Sequence, residues 1–328
     1  MLKNLLLSAY RSLKKKAGFS TINILGLAIG IATCLTILLY VGNELSYDNF
    51  QKESVYRIAL NRIYPERQVE FVVIPHSIGP QMVEDFPEVL RQSRVFVPTN
   101  AFTFQYGEET ITEEDLAFVD STFMSILSVE IVEGDIKKAL EEDNFMVLTE
   151  SAAKRYFGNE DPMGKTLNLA GVGSITVGAV VKDYPEKSHM KFNALISLNT
   201  FPFFKQSNWT SFTTLTYIQL HEGANAVELE EKLPEFIRKY AEGEIQQQNG
   251  VSYDEYVAAG NGYQYSLQPI KDIYLHSHMT AEIKPNGNIT YVYVFSIAAI
   301  FILIIACINF MNLATARSVE RAKEVGIR

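Results

Sequence analysis

Hydrophobic and polar positions divide this chain into two long apolar runs and a patterned middle. The first run, residues 21–42, reads TINILGLAIGIATCLTILLYVG and has no charge between Lys16 and Glu44. The second, Tyr291–Leu313, reads YVYVFSIAAIFILIIACINFMNL and lies in a charge-free stretch that reaches from Lys284 to Arg317. At about 1.5 Å of rise per residue, either run spans a bilayer core of roughly 30 Å as one helix. Between them the pattern changes to short segments. Residues 55–61, 69–74, 91–97, 116–119, 146–149, 175–182, 213–220 and 262–267 are rich in β-branched and aromatic residues with partial alternation, and predict strands. Residues 77–86, 122–128, 151–157 and 226–240 predict helices, the third with an N-cap at Thr149-Glu150-Ser151 and a glycine stop at Gly158. Many strands with few helices imply an α+β domain. The pattern divides it into two subdomains, one inserted in the other at about 121–212.

The first residues, MLKNLLLSAYRSLKKK, place Leu2, Leu5, Leu6, Ala9 and Leu13 on one helical face, with Lys3, Arg11 and Lys14 off it. That pattern suits a helix lying in the membrane interface over 1–18. A transmembrane helix over 19–42 follows. Its uncharged run is longer than the 7–15 residues usual in a signal-peptide core and leaves no good cleavage site, so an uncleaved anchor is expected. Lys14, Lys15 and Lys16 precede this span, and Arg317, Arg321 and Lys323 follow the second, at 289–313. The positive-inside rule puts both ends in the cytoplasm and residues 43–288 outside. Tyr40, Tyr47, Tyr291 and Tyr293 fit an aromatic belt at the outer edge. Gly26 and Gly30 form a small-xxx-small pattern for helix packing. Asn309 and Asn312, near the cytoplasmic end of the second span, offer a hydrogen bond to a neighbouring helix.

Charge sharpens this division. Setting aside five basic residues in 1–42, and four basic and two acidic ones in 291–328, residues 43–290 hold 20 basic and 36 acidic side chains, a net charge of −16. Such a domain repels phosphate backbones, which excludes nucleic acid as its partner. Both cysteines, Cys34 and Cys307, fall in the apolar runs, so the middle domain has no disulfide.

Candidate chemistry is thin. Gly158-Asn159-Glu160-Asp161-Pro162-Met163-Gly164-Lys165-Thr166 resembles a phosphate loop but has five residues, not four, before Gly-Lys-Thr. Pro162 also lacks an N–H for the cradle. A helix stop, an acidic turn and a strand over 165–169 is the better reading. His276-Ser277-His278 on a strand could supply two metal ligands, with no third nearby. His76, His189 and His221 are scattered. No Asp, Glu, Lys, Arg or His lies inside either span, which argues against an ion path through these helices.

With those residues in view, the chain resembles the MacB/FtsX-like family of ABC transporter permeases, in the form common in Bacteroidetes. The resemblance rests on Phe19–Gly30 (FSTINILGLAIG), Asn43–Phe50 (NELSYDNF), Leu148–Gly158 (LTESAAKRYFG), Lys187–Phe192 (KSHMKF) and above all Ala316–Arg328 (ARSVERAKEVGIR). It implies a periplasmic core domain of two α+β subdomains between transmembrane α-helices, with residues 314–328 beginning a cytoplasmic coupling segment. It also implies further membrane helices beyond Arg328, making this the N-terminal piece of a longer permease. The implied partners are an ABC ATP-binding subunit, which holds the ATP, a second permease unit, membrane lipid, and a periplasmic or outer-membrane protein. No cofactor is expected on the chain itself, and no enzymatic activity. Arg317, Arg321, Lys323, Glu324 and Arg328 would face the ATPase, and Gly326 would allow close backbone approach. Two other classes share this topology: a two-span sensor with an outer ligand-binding domain, and a membrane-anchored outer enzyme, which the lack of a catalytic constellation disfavours.

Overall fold

The computed structural model describes residues 17–326. Of the interfacial helix expected over 1–18, residues 1–16 lie outside the described residues, as does Arg328, while Ala17 and Gly18 begin the first long helix. The described chain forms two units, one of the two long helices and one from Tyr47 to Asn286.

In the helical unit, α1 (Ala17–Glu44) and α9 (Ile289–Gly326) each contain a stretch long and apolar enough to cross a membrane, 24–44 and 289–312. Their large apolar side chains, such as Ile29, Leu39, Ile300 and Phe301, are mostly exposed, which suits lipid rather than water. The helices pack on each other where side chains are small. A Cβ added at Gly30 would sit 3.1 Å from the Ala306 Cβ, and one at Gly26 would sit 3.3 Å from the Asn309 amide nitrogen. Tyr40 and Phe295 meet edge to face at 5.4 Å.

The second unit is built on one 14-stranded mixed sheet. Its elements are β1 (Val55–Tyr64), β2 (Arg67–Phe71), β3 (Val73–Ile74), α2 (Ile78–Asp85), β4 (Val89–Phe96), β5 (Phe102–Tyr106), β6 (Glu109–Glu113), β7 (Leu116–Val119), α3 (Phe123–Ile126), β8 (Ile131–Gly134), α4 (Ile136–Glu141), β9 (Phe145–Thr149), α5 (Glu150–Phe157), β10 (Thr166–Leu169), β11 (Gly173–Val181), β12 (Ala194–Ser197), β13 (Thr214–Leu220), α6 (Ala226–Asn249), α7 (Tyr253–Ala258), β14 (Gly262–Pro269) and α8 (Ile273–His276). Strand order is β14-β1-β13-β4-β7-β12-β9-β11-β10-β5-β6, with β2, β3 and β8 added at the sides. The β4–β7 seam is short, pairing Val95 with Val119 and Phe96 with Phe118. Every strand beyond that seam comes from the chain between β4 and β13. β7 pairs with β4 on one side and β12 on the other, and β5 and β6 join the sheet through β10.

Three apolar cores lie on the sheet. α6 lays Leu229, Leu233, Phe236 and Ile237 on Ile58, Leu60 and Ile218. α5 lays Ala152, Tyr156 and Phe157 on the far half, against Leu148, Leu167 and Ile175. The third core runs across the seam, joining Val55 and Tyr217 to Val119, Phe123, Val147 and Leu195. The Thr149 hydroxyl caps α5 by accepting from the Ala152 N–H, and Gly158 ends the helix at φ 63°. α6 continues nine residues past the expected end at Tyr240. Ala241 and Ile245 extend its buried stripe through the polar run EGEIQQQN, and left-handed Gly250 stops it.

Candidate functional site

The N-terminal and C-terminal ends of the sheet unit lead directly into the two apolar helices, and both ends are tied into its interior. The first tie is at Asp48. This residue follows the first helix by four positions, adopts a left-handed backbone (φ 56°), and is fully buried. Its N–H donates to the Lys187 carbonyl at 2.9 Å. One carboxylate oxygen accepts from the His189 N–H at 3.2 Å, and the other contacts His189 Nδ1 at 2.8 Å. Aspartate tolerates this backbone better than most residues because its short polar chain bonds locally. Tyr47 stacks flat on Tyr274 at 3.5 Å.

The second tie is at Glu282, five residues before Gly287. Arg57, at the inward side of β1 between Val55 and Ala59, is fully buried. It donates to both Glu282 carboxylate oxygens at 2.8 Å, and to Gln268 Oε1 and Ser277 Oγ at 2.7 Å. A planar guanidinium suits this bidentate geometry, and its charge is met inside the fold rather than by water. Asn286 donates to the Ser277 carbonyl at 2.9 Å, and Lys284 pairs with Asp115 at 2.8 Å.

Tyr217 joins the two ties. It is the cross-strand neighbour of Arg57, and its hydroxyl lies 3.4 Å from His189 Nε2. Burial pushes the phenol well up, against the pull of the Arg57 charge, so it stays a neutral hydroxyl. A buried polar chain thus forms from two hydrogen-bonded groups, Asp48–His189–Tyr217 and Arg57–Glu282–Ser277, which lie side by side where Tyr217 and Arg57 pair across β13 and β1. It brings the segment after the first helix and the segment before the second together on β1 and β13, near one end of the strand order. Such a network specifies one arrangement of both linkers, because any unmade bond leaves a buried polar group unsatisfied.

Sequence patterns gave only part of this arrangement. His189 stood among scattered histidines, and Asp48 among 36 acidic residues. Both lie in blocks that carried the family resemblance, NELSYDNF and KSHMKF, and the fold brings those blocks together. Arg57 gave no such signal, because it alternates with Tyr56, Ile58 and Leu60, the more apolar side of β1. His276 and His278 are not on a strand. His276 ends α8, both rings are exposed, and Ser277 between them points into the polar chain. In the glycine-rich loop Lys165 is engaged by Glu160 and Tyr106, and β10 starts at the next residue. His76, elsewhere in the fold, is buried between Phe203 and Phe204, and that burial lowers its pKa.

The coupling residues expected at Arg317, Arg321, Lys323, Glu324 and Gly326 fall on the last turns of α9, which runs unbroken from the apolar stretch. Positions 317, 321 and 324, spaced by four and three, share one side of that helix.

The model of the MacB-like periplasmic core domain matches residues 20–236, from the first apolar helix through most of α6. The chain belongs to this family. It is therefore a MacB/FtsX-like permease chain of the ABC transporter class, set in the inner membrane with the sheet unit on the periplasmic side. Membership implies an ATP-binding partner subunit. Among solved structures, a permease domain from Porphyromonas gingivalis shares the fold, with 21% identity, TM-score 0.54, and coverage of 66% of this chain and 90% of that one. The periplasmic region of MacB from Actinobacillus actinomycetemcomitans is similar at 14% identity and TM-score 0.44, covering 73% of this chain and 95% of that one. The extracellular domain of the ABC-type transporter YknZ from Gram-positive bacteria is similar at 13% identity and TM-score 0.39, over 64% and 99%. No curated protein matches the chain.

Proposed function

We propose that this MacB-like permease chain transmits ATP-driven motion from a cytoplasmic ATPase to its periplasmic domain. The observation that carries the reading is the buried polar chain from Asp48 to Glu282. A displacement of either membrane helix along its axis is delivered to the sheet at a fixed point rather than absorbed by a slack linker. The chain performs no catalysis of its own. ATP is bound by the partner subunit, and residues 314–328 begin the segment that engages it. Arg317, Arg321, Lys323, Glu324 and Arg328 supply charged contacts, while Gly326 admits close approach. The working unit pairs two permease chains, and the periplasmic domain, taken as 43–288 with an inserted subdomain at about 121–212, meets a further envelope partner. Gly26 and Gly30 keep the two helices in close contact, so that they move together.

The test is association with the co-encoded ATPase and stimulation of its turnover. The double variant Arg321→Ala, Glu324→Ala should reduce co-purification and stimulation at least about tenfold, as expected for two charged contacts at 1–1.5 kcal/mol each, while the outer domain folds normally. Unchanged association and stimulation would remove the coupling role from these residues.

A further inference from the structure

The segment from Ser277 to Asn286 is a strap that crosses the inward face of β1 and leads to the second membrane helix. Three features of its attachment stand out. It is held at separate points: Ser277 and Glu282 on Arg57, Lys284 on Asp115, Met279 and Ile283 against the apolar core, and a single backbone bridge in which Val72 N–H donates to the Thr280 carbonyl and Thr280 N–H to the Glu70 carbonyl. It is strained, because Ala281, next to the clamped Glu282, has φ 69°. Alanine gains no local side-chain bond in the left-handed region and is disfavoured there by about 1 kcal/mol. Nor is the strap packed flush along its first half. A polar cleft of about 400 Å³ opens beside that bridge, lined by His278, Met279 and Thr280 on the strap and by Asn61, Gln68, Val69 and Glu70 on the sheet.

We propose that the strap is a latch with a docked and a released position. Docked, it fixes the second membrane helix to the sheet through Glu282. Released, it opens the cleft along β2 and relaxes Ala281, while the first linker stays fixed at Asp48. The two linkers are then unequal, one a permanent anchor and the other a clutch. A strained residue beside a well-made buried contact is the arrangement expected of a bistable element. The proposal adds to the transmission reading and rests on it only for what drives release.

The experiment is amide hydrogen exchange on the full chain in lipid nanodiscs, resolved to peptides covering 277–286 and β1. Exchange in the strap should exceed that in β1 by at least about a hundredfold, the signature of a local opening well below global unfolding. Ala281→Gly should slow strap exchange roughly threefold, since relief of strain outweighs the added freedom of the released glycine. Glu282→Gln should accelerate it at least about tenfold, in line with loss of a charge-assisted bidentate contact, and leave β1 unchanged. Equal protection of strap and β1, or strap exchange indifferent to Ala281→Gly, would overturn the latch. Ala281→Gly keeps the test decisive if Glu282→Gln folds poorly. Adding the ATPase with ATP and vanadate separates the two readings. A strap that opens spontaneously but ignores nucleotide keeps the latch and removes its ATP-driven use.

Discussion

Glu282→Ala should lower the stability of the periplasmic domain by about 3–5 kcal/mol, the cost of leaving a fully buried guanidinium without its carboxylate. Arg57 has no exposed surface, and both of its terminal nitrogens are committed to Glu282. Gln268 and Ser277 would remain as neutral partners and cannot balance the charge. Urea unfolding of the full chain in detergent, followed by fluorescence of the lone tryptophan, reports on this domain, because Trp209 packs in the core under α6. The paired replacement Arg57→Met, Glu282→Leu should recover most of the loss, to within about 1–2 kcal/mol of the parent, because a buried ion pair gives little net stability over packed apolar side chains. The double variant would then be folded but unlatched. A loss below about 1 kcal/mol for Glu282→Ala would mean that water reaches Arg57 and that the buried chain is broken there.

Asp48→Ala should cost about 3 kcal/mol by the same measurement, for two reasons that add. The His189 N–H and imidazole lose their acceptor inside the fold, and an alanine replaces aspartate at φ 56°. Asp48→Asn should cost only about 1 kcal/mol, since asparagine tolerates the left-handed backbone and its amide can meet both His189 groups once the imidazole changes tautomer. The contrast separates an anchoring role from a general need for a polar residue. Equal losses for the two variants would show that the carboxylate charge, not the backbone geometry, holds this linker.

The two spans, the α+β class and most strands of the near half were legible because each rests on a local pattern. Continuous apolar runs mark the spans, and partial alternation marks β1, β4 and β13. β5 and β6 lie outside the strands expected from the sequence. FTFQY alternates aromatic and polar residues and leads through Gly107-Glu108 into ETITE, a hairpin pattern outside the segments read as strands, so this pair was missed although its signal is local. β12 was missed because ALIS is four residues long, buried on every side, and has no alternation to detect. α7 is short, and its one local signal is a capping box at Ser252 and Glu255. The polar chain was the least legible feature. Asp48, Arg57, His189, Tyr217 and Glu282 are spread over more than two hundred residues, and only the sheet register that sets Arg57 opposite Tyr217 brings them together. In VYRIALN the bulky apolar residues are Tyr56, Ile58 and Leu60, so alternation sets Arg57 on the opposite face, and nothing local shows that this face is covered too.

Transmission itself is tested by distance measurement between two copies of the outer domain. A spin label on Asn249→Cys, in a background with Cys34→Ala and Cys307→Ala, sits at the exposed end of α6 and away from the polar chain. In the complete permease–ATPase complex, the label-to-label distribution should shift by about 5 Å or more between the nucleotide-free and ATP–vanadate states, the scale of one helical turn. In the Arg57→Met, Glu282→Leu background the shift should fall by at least about half, because one of the two linkers no longer delivers the motion. Superimposable distributions, with nucleotide shown to be trapped on the ATPase, would contradict the account.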